Sequence, residues 1–207
     1  MKTNIFLKLT VLAIVFGCFI SLAPAQQVAI KSPVNLKEIT GLTDYEVDTP
    51  AFAHQNGKKK KWGVFSATFD ALPKWTPQLS ATYYVFFERQ QQFVEGDKRY
   101  AFVTVTCNYA DIEQGRDRKI GAVIPPNALK RLGKPLGICV QLSVGDKVVA
   151  QKSEETGILK KYPKWWENPK VTDTSLNKQL DKPSGRLVPR EKTVFAYVDM
   201  DSYEESK

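Results

Sequence analysis

The chain has 207 residues and a formal net charge of +8, with 43% hydrophobic, 11% aromatic and 25% charged residues. This composition is typical of a globular protein and excludes a collagen, a disordered tail and a coiled coil. The whole chain contains one histidine and three cysteines, which disfavours histidine-centred catalysis, a multi-ligand zinc site and a small disulfide-rich fold.

The N terminus has the pattern of an export signal. Lys2 and Lys8 make its start positive, residues 9–22 are apolar, and residues 23–25 (Ala-Pro-Ala) provide a cleavage site. The apolar run has 14 residues, whereas a helix needs about 20 to cross a bilayer. We therefore expect residues 1–25 to be removed. The exported protein, with a charge of +6 and no membrane-spanning segment, would lie in the periplasm, at the outer membrane or on the cell surface.

Cys18 provides an alternative reading of the N terminus. A cysteine that is acylated after cleavage would tether the protein to a membrane as a lipoprotein. Phe16 argues against this, because a bulky side chain then lies next to the small residue at the processing position.

The middle of the chain predicts β-strands. Between Lys61 and Ala150 apolar residues recur at every second position, as in a sheet that turns one face to a core. Gly-Asp pairs at 96–97 and 145–146 are typical of tight turns. The predicted hairpins pair 79–93 with 99–109 and 135–144 with 147–151. The residues that we expect in the core include Phe65, Phe69, Tyr83, Val85, Val103, Val105, Val140 and Leu142.

Three further elements complete the predicted fold. Prolines before residues 127–132 and Gly133 after them predict one short helix. Pro73 and Pro77 predict a rigid loop between the first two strands, where we expect Trp75 to pack. A last strand is expected over 193–200, laid into the sheet because both its faces are apolar.

These elements predict an all-β fold, an immunoglobulin-like antiparallel β-sandwich with one short helix and long polar loop segments. We expect the sandwich domain to span 61–203, with 153–191 as a long loop insertion and 204–207 as a tail. Residues 26–60 would form an extended arm, of which 27–31 and 44–47 are candidate edge strands.

No pattern in the sequence predicts catalysis. His54 is the only histidine, and no nucleophile lies near it in sequence. Asp111, Glu113 and Asp117 alternate with lysines and arginines, which is typical of a self-neutralised turn, and they lack the ligand spacing of an EF-hand loop. We predict a protein without enzymatic activity, cofactor or metal.

Cys107 and Cys139 are the two cysteines after the signal. An oxidising compartment permits a disulfide between them. The alternation places Cys107 on the core face of its strand and Cys139 on the opposite face of its own. We therefore favour two buried thiols over a disulfide, unless a bulge at Gly137 resets the register.

Lysines and aromatic residues provide the candidate contact surface. The lysine run at 58–61 and the lysines around the segment 162–166 would attract an anionic partner. Solvated turns are the alternative for the lysines, and burial against the sandwich is the alternative for the tryptophans. The candidate contact residues are Lys58, Lys59, Lys60, Lys61, Lys160, Lys161, Trp165 and Trp166. Export makes envelope proteins and anionic glycans the expected partners, and not nucleic acid.

Several short segments resemble a group of exported bacterial immunoglobulin-like β-sandwich proteins whose genes accompany type IV pilus assembly genes. They are Trp62–Leu72, Trp75, Tyr83–Val85, Val123–Pro126, Trp165–Trp166 and Thr193–Ala196 with Asp201 and Tyr203. The resemblance implies a non-enzymatic accessory or surface protein that acts by protein-protein contact, and it provides no functional residues to transfer. The chain lacks a prepilin processing site, so it is not expected to polymerise as a pilin. A carbohydrate- or polyanion-binding module is the alternative function.

Overall fold

A computed structural model describes residues 34–47, 60–90 and 98–193. Its elements are β1 (Val34–Val47), β2 (Lys60–Glu88), β3 (Tyr100–Ile124), α1 (Pro126–Leu132), β4 (Lys134–Val144), β5 (Lys147–Glu155), α2 (Pro169–Thr172), β6 (Leu180–Asp181) and β7 (Val188–Pro189). Several predicted features lie outside the described residues: the signal segment with Cys18, the strand at 27–31, His54, the turn at 96–97 and the strand beyond Thr193.

The seven strands are joined by hydrogen bonds into one sheet that folds over itself. The strand order is β5-β4-β2-β3-β6, while β1 also pairs with β2 and β7 with β3. The first part of β2 pairs with β1, and its second part pairs with β4. β3 accompanies β2 along both parts. Each of these two long strands therefore contributes to both layers.

One aromatic contact shows that the layers face each other. Phe65 and Phe87 both belong to β2 and would lie about 70 Å apart in a straight strand. Their ring centroids are 6.2 Å apart, with an interplanar angle of 70°. The turn-over occurs where the pairing of β2 with β3 shifts register, between Phe69 and Trp75. The fold is therefore an all-β sandwich, as predicted, and the described strands pair antiparallel except for the short pairing of β6 with β3.

The alternation of apolar residues is confirmed by burial. All the predicted core residues named above are buried except Val105, which is half-buried against the core. The predicted helix is confirmed as α1, which buries Ala128 and Leu132 and ends at Gly133. The second predicted hairpin is confirmed as β4 and β5, with Gly145 at a φ of 58° in the turn.

Two local predictions are wrong, and a third is incomplete. The segment with Pro73 and Pro77 is not a loop between two strands but a corner within β2, because the strand continues into the other layer. Asp111 and Asp117 lie within β3 at positive φ, not in a turn between strands. The candidate edge strand at 44–47 is confirmed but is only the end of a longer strand, β1, which pairs with β2 from Val34 onward.

The segment after β5 forms an additional layer. We call residues 156–182 the covering layer, because their apolar side chains pack on the outer face of the β4-β2-β3 part of the sheet. They contain a 3-10 turn (Gly157–Lys161), α2 and β6. β7 lies beyond them and pairs with the second part of β3, and Leu187 before it belongs to the inner core. The apolar side chains of the covering layer form a second buried cluster with residues of β2, β3 and β4. The predicted long loop is therefore a packed part of the domain.

Candidate interaction surfaces

Trp165 anchors the covering layer and is fully buried. Its ring meets those of Phe86 and Phe102 edge-on, with centroids 6.3 and 6.2 Å away, and Trp166 lies at 5.8 Å. Gly137 of β4 makes room for it, since an added Cβ there would lie 3.1 Å from the indole. Trp165 and Trp166 are therefore not an exposed contact surface, and their predicted alternative, burial against the sandwich, is confirmed.

An ion pair with a buried arginine ties the covering layer to the residue after β2. Arg89 donates from Nη2 to Asp181 Oδ2 at 2.8 Å and from Nη1 to the carbonyl of Lys98 at 2.9 Å. The Arg89 side chain is 4% exposed, and that of Asp181 is 39% exposed. Because a buried guanidinium needs a partner, this pair fixes where β6 lies against β3.

The outer surface of the covering layer is basic. Residues 156–182 contain six lysines against three aspartates and glutamates, a net charge of +3. Its exposed lysines are Lys160, Lys161, Lys164, Lys170, Lys178 and Lys182. We call these six residues the lysine face. Two of its members, Lys160 and Lys161, were predicted from the sequence as contact residues.

The other predicted lysines belong to a different part of the chain. Lys61 is exposed at the start of β2, and the backbone of Lys60 also belongs to that strand. Lys58 and Lys59 lie outside the described residues. Lys61 is therefore located on the sandwich itself, whereas the lysine face belongs to the covering layer.

Carboxylates at the corner of the sandwich form ion pairs and a hydrogen bond that join its strands. Lys37 Nζ lies 2.9 Å from Asp70 Oδ1 and 2.8 Å from Asp117 Oδ1. The Asp117 N–H donates to Asp70 Oδ1 at 3.0 Å, and this bond together with Lys37 lowers the pKa of Asp70. Within the described ranges, no group of three or more histidine, cysteine, aspartate or glutamate residues is placed to hold a metal ion.

Cys107 and Cys139 are both buried and no disulfide joins them, so the preference for two thiols is confirmed. Cys107 belongs to the inner core and Cys139 to the cluster under the covering layer, as their parity predicts. Burial raises the pKa of the Cys139 thiol, and the negative charges of Glu167 and Glu155 raise it further.

This environment predicts slow thiol chemistry. Because the thiolate is the reactive form, Cys139 should stay protonated and unreactive at neutral pH. Ellman's reagent should label neither thiol within minutes in the folded protein, and it should label both after denaturation. Fast labelling of Cys139 in the folded state would contradict the burial of this face.

Trp75 differs from its prediction. It is 55% exposed, and the neighbouring Leu72 is 47% exposed, both at the corner where β2 changes layers. The corner turns these side chains outward, so Trp75 is not a packing residue. We call Leu72 and Trp75 the apolar corner.

A protein-family model matches residues 28–207, nearly all of the sequence after the predicted signal. The chain belongs to this family. A crystal structure from Akkermansia muciniphila is similar, with 18% identity, a TM-score of 0.58 and coverage of 81% of this chain and 91% of that chain. An immunoglobulin-like protein from Pseudomonas aeruginosa shares 10% identity, with a TM-score of 0.28 and coverage of 62% of this chain and 99% of that chain. No curated protein matches the sequence.

The family match and the Akkermansia muciniphila structure agree with the bacterial immunoglobulin-like β-sandwich part of the resemblance. At this level of identity the structural likeness shows the fold alone. Export and the link to pilus genes stay predictions. No helix in the described segments is both long and apolar enough to cross a membrane.

Proposed function

We propose that this protein is a non-enzymatic exported envelope protein, an accessory or surface component of type IV pilus-like machinery that acts by protein-protein contact. Its family membership over residues 28–207 and its sequence resemblance to proteins encoded beside pilus assembly genes support this proposal. The sandwich provides a rigid support, and the covering layer presents a charged surface on it.

The exposure of the lysine face is the observation that supports contact with an acidic partner. Of the three acidic residues in the covering layer, Asp181 is paired with Arg89. Asp173 accepts hydrogen bonds from the N–H and Oγ of Ser175 at 2.8 and 2.7 Å. Glu167 accepts from Trp166 Nε1 and Gln141 Nε2, both at 3.2 Å. These bonds leave the carboxylates charged, but the six exposed lysines outnumber them two to one. The positive surplus would steer an acidic envelope protein towards this layer.

Lysine substitutions test this proposal. The protein with Lys160→Gln and Lys161→Gln should bind an acidic partner from envelope extracts about two- to thirtyfold more weakly, if each lysine contributes about 0.2–1 kcal/mol. The partner would be identified by capture from the producing cells, and its dissociation constant measured by surface plasmon resonance.

A matched control has the same loss of charge elsewhere. Lys130 on α1 and Lys147 at the start of β5 are also exposed. Lys130→Gln with Lys147→Gln should leave the dissociation constant unchanged if the lysine face is the contact surface. Equal weakening in both double variants would show that only net charge matters.

Binding of a polyanionic glycan is the second candidate function, because the same lysines would suit sulfate or carboxylate groups. Binding of the purified protein to a heparin column, reduced by Lys160→Gln and Lys161→Gln, with no protein captured from envelope extracts, would favour it. Replacing residues 58–61 with glutamine in the same assay shows whether the predicted lysine run contributes.

A further inference from the structure

Next to the covering layer, the outer face of the sheet carries polar residues without charge. The odd-numbered residues of β2 from Leu79 to Val85 lie in the inner core, so the even-numbered ones point outward. None of the outward side chains is fully buried. They form three cross-strand pairs between β2 and β3, which are Ser80 with Asn108, Thr82 with Thr106 and Tyr84 with Thr104.

Two further strands extend this surface. In β4, Gln141 is paired with Thr82 and Ser143 with Ser80. In β5, Gln151 is paired with Gln141. We call these three residues and the three pairs between β2 and β3 the neutral face. Four neighbouring strands and four residue steps along β2 give it a size of about 14 Å in each direction.

The lack of charge distinguishes this surface from the outer face of the other layer. A solvated protein surface usually carries about 25–35% charged residues. On the other layer, Thr68 is paired with Glu38 on one side and with Lys119 on the other. None of the residues of the neutral face is charged. Glu167 of the covering layer borders the face, where it accepts a hydrogen bond from Gln141.

Hydrogen bonds between the strands hold the hydroxyl groups of the neutral face in place. Ser80 Oγ donates to Asn108 Oδ1 at 2.9 Å, and the Oγ1 atoms of Thr82 and Thr106 lie 3.0 Å apart. A hydroxyl group has one donor and two acceptor positions, and an amide has more. These side chains are therefore positioned in advance and still have donors and acceptors for a ligand.

Tyr84 adds an aromatic ring at the side next to the covering layer. Its hydroxyl donates to Gln141 Oε1 at 3.1 Å, and Gln141 Nε2 donates to Gln151 Oε1 at 3.3 Å. Its ring stacks on that of Phe102, with centroids 6.2 Å apart and an interplanar angle of 17°. The half-buried ring is therefore fixed in orientation at both its ends.

We propose that the neutral face binds an uncharged oligosaccharide. Sugar hydroxyls match the hydroxyl and amide groups of the face, and the Tyr84 ring provides an apolar surface on which a sugar ring can pack. An anionic ligand would lose hydration without meeting an opposite charge among these residues.

A protein partner fits this surface less well, because the centre of a protein interface is apolar. The neutral face has one aromatic and no aliphatic side chain. Because an open sheet face encloses a ligand only in part, we expect a dissociation constant on the order of 0.1–1 mM. This inference is independent of the lysine face.

Thr82→Ala with Thr106→Ala tests the proposal by removing the central pair of hydroxyls. An array of neutral and anionic oligosaccharides, probed with protein from the full coding sequence, identifies the neutral ligand. Isothermal titration calorimetry then gives its dissociation constant. The double variant should bind this ligand about five- to a hundredfold more weakly, the effect of losing two hydrogen bonds. If it fails to fold, as judged by circular dichroism, Ser80→Ala with Asn108→Ala replaces it.

Thr40→Ala with Thr68→Ala is the matched control. It removes two hydroxyls from β1 and β2 on the outer face of the other layer, and it should leave the dissociation constant unchanged. Lys160→Gln with Lys161→Gln should leave it unchanged too, and so should added sodium chloride. The failure of this inference is therefore distinguishable from failure of the lysine-face proposal.

Three results would overturn the proposal. They are an array on which no neutral oligosaccharide is bound, binding of a neutral ligand that is equally strong in the wild-type protein and the Thr82→Ala, Thr106→Ala variant, and binding that is restricted to anionic ligands and lost on addition of salt.

Discussion

Trp165→Ala should lower the free energy of unfolding by about 3–5 kcal/mol, the usual cost of removing a large buried aromatic side chain. Trp165 is fully buried and contacts Phe86, Phe102 and Trp166 edge-on. Its loss leaves a cavity over Gly137 that the neighbouring backbone cannot fill. Urea denaturation monitored by circular dichroism measures the change.

Trp75→Ala is the matched control for this substitution. It removes the same side chain from a position that is 55% exposed, so its effect should stay within about 0.5 kcal/mol. A loss of stability in Trp75→Ala that equals the loss in Trp165→Ala would show that Trp75 is packed and that the apolar corner is wrongly placed.

Gly133→Ala should also lower the free energy of unfolding. Gly133 ends α1 with φ 79° and ψ −140°, a conformation that is essentially restricted to glycine and that costs other residues about 1–3 kcal/mol. An added Cβ would also overlap the carbonyl oxygen of Glu88 and lie 2.9 Å from the Cα of Arg89. Both atoms belong to the backbone, so the contact cannot be relieved by rotating a side chain.

Gly145→Ala separates the cost of the backbone conformation from the cost of the steric overlap. Gly145 also has a positive φ, 58°, but a Cβ there would meet nothing within 4 Å. It should therefore show only the conformational cost, about 1 kcal/mol. If Gly133→Ala costs no more than Gly145→Ala in urea denaturation, the close approach of α1 to the end of β2 is contradicted.

The sequence was sufficient to predict the elements whose signals are local. The hairpin of β4 and β5 follows from alternation on both sides of Gly145, and α1 follows from its prolines and Gly133. The separate environments of Cys107 and Cys139 follow from parity alone, since a period of two fixes which face each side chain occupies.

The corner could not be predicted from local signals. Pro73 and Pro77 predict a break, but they do not show whether the chain leaves the sheet or continues into the other layer. That choice is made by the pairing of β2 with β3 on both sides of the corner, which is a long-range property. As a result the sequence predicts a packed Trp75, whereas its side chain is exposed.

The sequence does indicate that the outer face of the sheet is covered. Phe86 and Phe102 have the parity of the outer face of the sheet, yet they are large and aromatic. An outer face of this kind needs a cover of its own, because a solvated face would carry polar residues there. Trp165 provides that cover, in a segment whose polar composition predicts only a loop.

The central claim of the proposed function is that the lysine face is the contact surface. The salt dependence of binding tests this claim most directly. The dissociation constant for the captured envelope partner should rise with sodium chloride concentration in the wild-type protein, because exposed charges are screened over about 10 Å at 0.1 M salt. It should rise less steeply with Lys160→Gln and Lys161→Gln. A dissociation constant that is insensitive to salt, and unchanged by both substitutions, would contradict the claim.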